Sequence, residues 1–279
     1  MKAIFDNVSE NCSQEFTKGY STSFSLAVKM LSPSIQGAIH SIYGFVRLAD
    51  EIVDSFHDYD KEKLFAKLEV DLAIALKQGI SLNPVLNAFQ AVVHEYNIDN
   101  GLIDAFMKSM KADLHKSTYE SVEDYEEYIY GSADVVGLMC LKVFVNGNQE
   151  KYDALKYSAM KLGSAFQKVN FLRDLKDDME TLDRTYFPHL QNRTFNQETK
   201  DEIVAEIADD FKEAYVGIKQ LPLEARFGVY TAYVYYKRLL RNIINAEVEE
   251  VANNRIRVSN PVKIALLAKS FVSYKLDLI

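Results

Sequence analysis

The chain has 279 residues, 48% hydrophobic and 26% charged, with 32 basic against 40 acidic side chains and a formal net charge of −8. That length buries a substantial core and the composition is that of an ordinary globular protein. The acidic balance excludes a general nucleic-acid binder, which presents a basic face. Two cysteines, Cys12 and Cys140, make no disulfide framework and point to free thiols in a reducing compartment. No apolar run reaches the ~18 residues of a spanning helix. The N-terminal MKAIFDNVSENCSQEF lacks the unbroken apolar stretch of a secretory signal, so a cytoplasmic protein is expected.

Eleven glycines and five prolines leave room for long helices, because both residues are poor in helix interiors. Taken in chain order, periodicity predicts a first helix over 5–18 and a second over 34–57, opened by Ser32-Pro33 and carrying Ile35, Ile39, Ile42, Tyr43 and Val46 on one face. A third follows at 61–78, where Leu64, Leu68, Leu72 and Leu76 recur every fourth residue. Asn83-Pro84 opens 84–95, and further helices are read at 100–115, 122–145 and 150–179. The segment 180–197, ETLDRTYFPHLQNRTFNQ, has no apolar period, and loops of that length are often functional. Helices over 198–219, 223–250 and, after Asn260-Pro261, 260–276 complete the chain. No stretch alternates as a strand, no repeat recurs and no linker intervenes, so one all-α domain over 1–279 is expected.

Two short stretches resist a simple core reading. RLADEIVD (47–54) places Asp50, Glu51 and Asp54 in an apolar helix, and NFLRDLKDD (170–178) does the same with Asp174, Asp177 and Asp178. Asp50 and Asp54 are i and i+4, about 6 Å apart along the axis, with Arg47 on the same side. Asn170, Asp174 and Asp178 are likewise spaced by fours, with Arg173 beside them. Like charges at that spacing destabilise a surface helix by ~0.2–0.5 kcal/mol per pair. If both faces share a cavity, unit charges 4 Å apart repel by ~4 kcal/mol at an effective dielectric near 20. A counter-charge is required, and magnesium suits it, being hard, oxygen-liganded and commonly shared between carboxylates and substrate phosphates. Removing one carboxylate is then expected to relieve repulsion. A solvated acidic face is the plain alternative for either stretch taken alone.

With these two motifs the sequence resembles the squalene/phytoene synthase family of head-to-head prenyl synthases. STSFSLAVKML (21–31) is similar to the family's serine-rich opening helix, and SIYGFVRLADEIVD to its first aspartate-rich signature, with Glu51 where many members carry Asp. EEYIYGSADVVGLMC resembles the central YCYxVAGTVG segment, with Asp134 and Val135 where the family has Gly and Thr. FQKVNFLRDLKDDMETLDRTYFP resembles the second signature, NxLRDxxxD then R-x-Y-x-P, and RIRVSNPVKIALLAK the C-terminal basic segment.

The resemblance implies an all-α bundle of the isoprenoid synthase type around a deep central cavity, with the two aspartate-rich helices facing each other at its mouth. It implies magnesium-dependent condensation of two prenyl diphosphates through a cyclopropylcarbinyl diphosphate. The phytoene-type reaction on geranylgeranyl diphosphate is the expected one. The squalene or dehydrosqualene type on farnesyl diphosphate is the alternative, with NADPH needed only in the squalene type. By the same resemblance Asp50, Asp54, Asn170, Asp174 and Asp178 hold magnesium, Arg47, Arg173, Ser21 and Ser23 bind diphosphate, and Tyr130, Tyr235 and Arg255 lie near the diphosphates and cationic intermediates. Peripheral membrane contact is expected for release of so apolar a product.

A different class, a non-catalytic helical assembly protein, is disfavoured because a scaffold has no use for repelling carboxylates. The five histidines form no HExxH or ExxH pair of a transition-metal site. Cys140 and most tyrosines of TAYVYYKRLL read as packing, and Lys263, Lys269 and Lys275 as a solvated face.

Overall fold

The computed structural model describes residues 1–116, 119, 121–176, 186–190 and 193–276. Asp177, Asp178 and Arg184 lie outside the described residues. Helices α1 (Lys2–Tyr20), α2 (Thr22–Val28), α3 (Pro33–Asp54), α4 (Lys61–Gln78), α5 (Pro84–Glu95), α6 (Asn100–Ala112) and α7 (Val122–Ile129) lead into a π-helical turn (Tyr130–Asp134). Then follow α8 (Val135–Phe144), α9 (Gln149–Arg173), α10 (Gln197–Ile218), α11 (Leu223–Asn245), α12 (Val248–Asn253) and α13 (Asn260–Lys275). No strand occurs among the described residues.

Local chemistry sets the ends. Proline stands in the first turn of α3, α5 and α13, where its missing N–H costs no helical bond. Of the three expected N-caps only Asn83 caps through its side chain, accepting from Val85 and Leu86; Ser32 makes no such bond, and Asn260 is already helical behind Ser259. Gly79 ends α4 at φ 69°, a left-handed position that glycine adopts without a Cβ penalty.

The core lies where α3 is wrapped by its neighbours. Ile35, Ile39, Ile42, Phe45, Ala49 and Ile52 are all buried, and Phe45 stacks on Phe89 at 4.0 Å and meets the Phe106 edge at 5.4 Å. α1 lies close against α3 because its facing residues are small: Ser9, Ser13 and Thr17 are fully buried, and a Cβ on Gly44 would come within 2.9 Å of the Ser13 side chain. The π turn adds one residue to the helical path and so shifts the face that α8 presents.

Several expected boundaries move, and the expected 122–145 helix is divided by the π turn. The 21–31 segment holds a separate short helix, α2. The expected 150–179 helix bends at Asp174, whose backbone (φ −103°, ψ 10°) has left the helix. The expected 223–250 helix breaks at Ala246 (φ −79°, ψ 146°). The break has a cause: the buried Lys200 ammonium, from α10, donates to the carbonyls of Ile244 (3.1 Å) and Ala246 (2.5 Å). It satisfies acceptors that the ended helix leaves open.

Replacing Lys200 by Met strands those carbonyls. Lys200→Met is expected to cost ~1–3 kcal/mol, seen as a melting temperature lowered by several degrees at ~2–4 °C per kcal/mol with the helical circular dichroism retained.

Candidate active site

An elongated, largely apolar cavity of about 370 Å³ opens between α2, α3, α8, α9 and α11. α3 lines it with Ile39, Ile42, Tyr43, Val46, Arg47 and Asp50, residues that one helical face carries at three- and four-residue spacing. α9 lines the opposite wall from Leu155 to Asn170. After the π turn, Val136, Gly137, Cys140 and Phe144 supply a third wall. Wall and wall approach closely at Gly163, where a Cβ would stand 2.8 Å from the Ala133 carbonyl.

The two acidic stretches meet this cavity at one end, and each is matched by arginine. Arg47 donates, one turn along the helix, to Asp50 and to its buried neighbour Glu51. Its guanidinium lies 4.4 Å over the Tyr20 ring, and its Nε is buried without a partner among the described residues. On the facing wall Arg173 grips Asp174 with two donors, Nε to Oδ1 at 2.9 Å and Nη2 to Oδ2. Arg255 Nε reaches the same carboxylate at 3.0 Å. The counter-charge that the sequence demanded is therefore already present as arginine. Asp50 is an ion-paired group, so its removal is not expected to relieve repulsion.

Tyrosines join the walls. Tyr236 donates to Asn170 Oδ1 at 3.3 Å and stacks on Phe166 at 4.0 Å. Tyr43 stacks on Phe24 at 4.6 Å, bonds Ser21, and feels the charges of Arg47 and Asp50 together. Burial pushes the Tyr43 hydroxyl up to about 12 and raises those of Tyr236 and the cavity-lining Tyr128. All three stay protonated, neutral donors at ordinary pH.

Arg47, Asp50 and Asn170 line the cavity itself, with Arg173, Asp174 and Arg255 clustered beside Asn170 and Ser21 joined through Tyr43. Asp54 closes α3 one turn past Asp50, half-buried. Ser23 and Tyr235 line a small adjacent groove with Lys263, whose ammonium sits 5.6 Å over the Tyr235 ring. Tyr130 is not brought to the cavity: it is 37% exposed, and Tyr128, two residues earlier, lines the wall. Glu51, Tyr43, Tyr128 and Tyr236 join the site without having been singled out for a role in it. For Tyr236 the phase was available, since Gly228 and Ala232, cavity-lining and four residues apart, lead to it.

Asp134 turns away from the cavity. Its carboxyl is buried, accepts from Ser164 at 2.7 Å, and faces Lys168, Asp210 and Lys161. Lys168 and Lys161 both bond Asp210, at 2.6 and 2.8 Å. Burial raises Asp134 to about 7, with the Ser164 bond and the lysines opposing.

Whether the site suits magnesium is decided by its donors. Among the described residues no three acidic, His or Cys side chains converge as a ready cage. Magnesium seldom needs one; it keeps several waters and takes one or two carboxylates plus phosphate oxygens. Asp50, Asp54, Asp174 and the Asn170 amide oxygen are hard oxygen donors of that kind, so the residues fit.

Helices enclosing an apolar cavity, with charged groups gathered at one end, define an all-α fold of the isoprenoid synthase type. A solved dehydrosqualene synthase in complex with ligand superposes with TM-score 0.83 at 21% identity, covering 97% of this chain and 98% of that one. Squalene synthase HpnC from Alicyclobacillus acidocaldarius gives 0.76 at 19%, covering 90% and 97%. The family profile described as Squalene/phytoene synthase matches residues 17–261, and the chain belongs to that family. A 15-cis-phytoene synthase of Synechocystis sp. is 28% identical over 95% of this chain and 85% of its own length. A 4,4'-diapophytoene synthase of Staphylococcus haemolyticus is 26% identical over 73% and 70%.

The raised Asp134 makes a stability signature. Folded, its carboxyl keeps a proton up to about pH 7; its ordinary value is 3.8. Between those values the native state binds the extra proton, so stability falls as pH rises through that window. Asn cannot ionise. Asp134→Asn is expected to flatten this part of the slope and to be more stable than wild type at pH 8, by up to about 4 kcal/mol at ~1.36 kcal/mol per unit. Denaturant unfolding at pH 5 and pH 8 measures it.

Proposed function

We propose that this protein is a prenyltransferase that joins two geranylgeranyl diphosphates head to head through a cyclopropylcarbinyl diphosphate, as phytoene synthases do. The observation that carries the proposal is the pairing of an apolar cavity with arginine-held carboxylates at its mouth. The span of the lining leaves room for the longer substrate. From Leu155 to Asn170 the α9 axis rises about 22 Å at ~1.5 Å per residue. An extended hydrocarbon advances about 1.2 Å per bond, the spacing of an extended backbone, so a geranylgeranyl main chain runs about 18 Å and a farnesyl one about 13 Å.

In this reading Asp50, Asp54, Asn170 and Asp174 hold magnesium, with Asp178 outside the described residues. A magnesium ion held there would supply positive charge to offset that of the departing diphosphate. Arg47, Arg173 and Arg255 turn from their carboxylates to phosphate oxygens, which guanidinium grips bidentately. Tyr43 and Tyr236, held neutral by burial, donate hydrogen bonds toward the same oxygens. Preorganised donors of this kind stabilise the charge that develops as the C1–O bond breaks. Phe24, Val46, Phe166 and their neighbours keep water from the allylic cation. Tyr128 lines the wall beside that cation.

Incubation with magnesium and either geranylgeranyl or farnesyl diphosphate, with and without NADPH, decides the reaction. A forty-carbon hydrocarbon formed without NADPH is expected. A thirty-carbon product alone assigns the squalene or dehydrosqualene reaction instead. Asp50→Ala and Asp174→Ala are expected to lower kcat ~100-fold or more, and Arg47→Lys also to impair turnover, because lysine loses the bidentate grip.

Enzyme and assembly protein are separated by linkage without any product. Magnesium and a non-hydrolysable prenyl diphosphate analogue should each strengthen the other's binding. Ligand at 100 times its Kd stabilises the fold by ~2.7 kcal/mol, about 5 °C or more at ~2–4 °C per kcal/mol. The melting shift with both present is expected to exceed the sum of the separate shifts in wild type and to be additive in Asp50→Ala. Additive shifts in wild type would favour the assembly protein.

A further inference from the structure

The helix α13 is apolar on both sides. Its inner face, Val262, Leu266 and Tyr274 with the buried Ser270, packs on the body of the protein. At 100° per residue, Ile264, Ala268, Phe271, Val272 and Lys275 share the opposite arc, with Ala265, Lys269 and Leu276 at its edge. All eight are exposed, Ile264 at 67%, Val272 at 55% and Leu276 at 63%. α11 runs antiparallel to α13, with Tyr235 beside Lys263 and Phe227 beside Phe271 and Tyr274. That direction brings Leu223, 62% exposed, toward the Leu276 end. A surface helix ordinarily turns charged residues to water. This one turns an apolar stripe whose charged members are lysines.

The charge is segregated as well. From Ile256 to Leu276 the charged residues are Arg257, Lys263, Lys269 and Lys275, all basic and followed in the sequence by Asp277, in a chain of net charge −8. Lys263 is drawn inward over Tyr235, which leaves Lys269 and Lys275 exposed on the stripe. An apolar stripe set among lysines is complementary to acyl chains beneath anionic headgroups. The rest of the chain carries the net negative charge, which the same headgroups repel.

We propose that the outward face of α13 docks the protein on an anionic lipid bilayer. Its place in the fold gives the docking a use: Ala27 and Ala232 line both the central cavity and the small groove beneath α13, so small side chains stand between the cavity and this face. That use rests on the proposed prenyl chemistry. The surface itself does not.

Co-sedimentation with vesicles tests it without substrate or turnover, so its outcome is separate from that of the product assay. At low ionic strength the wild-type protein is expected to partition at least tenfold more strongly onto 70:30 phosphatidylcholine:phosphatidylglycerol vesicles than onto pure phosphatidylcholine. Lys269→Gln with Lys275→Gln should weaken the anionic binding about 25-fold, near fivefold per lysine. Ile264→Ser with Val272→Ser should weaken it at least tenfold with the melting temperature unchanged, since both side chains point to solvent. Absence of wild-type binding, or equal binding by the Ile264/Val272 variant, overturns the proposal. So does sedimentation velocity showing a wild-type dimer that this variant dissolves, which would assign the face to a second copy of the chain.

Discussion

Carboxylates beside an apolar cavity need positive charge within reach, and the architecture of this protein follows from how that need is met. Arg47 answers for Asp50 and Glu51 on α3, and Arg173 with Arg255 answers for Asp174 at the end of α9. Arg47 and Arg173 are themselves half-buried, so a lost partner would leave a charge poorly solvated. The clamps hold the site folded while empty and are made of groups that phosphate oxygens can recruit. Arginine is the suitable cation because its fork fits carboxylate and phosphate alike.

The apolar part of the site depends on different physics. A cavity among close-packed helices forfeits dispersion contacts, so its walls must be fixed by what lies behind them. Behind α8 and the π turn lies α6, against which Gly131 sits so tightly that a Cβ would fall 1.9 Å from Ser109 Oγ. Behind Tyr128 stands Asp113, which accepts from both Tyr119 and Tyr128 at 2.9 and 2.8 Å. Phe171 and Tyr186 stack at 3.9 Å beside them. Rigid aromatic packing and satisfied hydroxyls carry the load that a filled core would otherwise share.

Away from the mouth, charge is sorted with equal economy. Asp134, Lys161, Lys168, Glu206 and Asp210 form a buried or half-buried set between the π turn, α9 and α10. It faces away from the cavity, so the carboxylate that replaces a family glycine alters the packing behind the wall rather than the wall's polarity. On α13 the reverse holds. Basic and apolar residues are gathered on a face that no other described element covers.

Much of the fold was legible in the sequence, because helices follow from local periodicity and from where prolines and glycines stand. The all-α class, the spans of α3 to α6, and the pairing of Asp50 with Asp54 on one face all follow from 3.6-residue geometry. The family, too, was readable from five short motifs in order. What the sequence did not contain was phase across distance. The Lys200 contact that ends α11 and the reach of Arg255 to Asp174 depend on residues tens of positions apart in the chain meeting in space. Local pattern determined which residues form helices and share a face; only tertiary packing decided which faces meet, because burial and charge pairing are properties of neighbours that the chain brings together by folding.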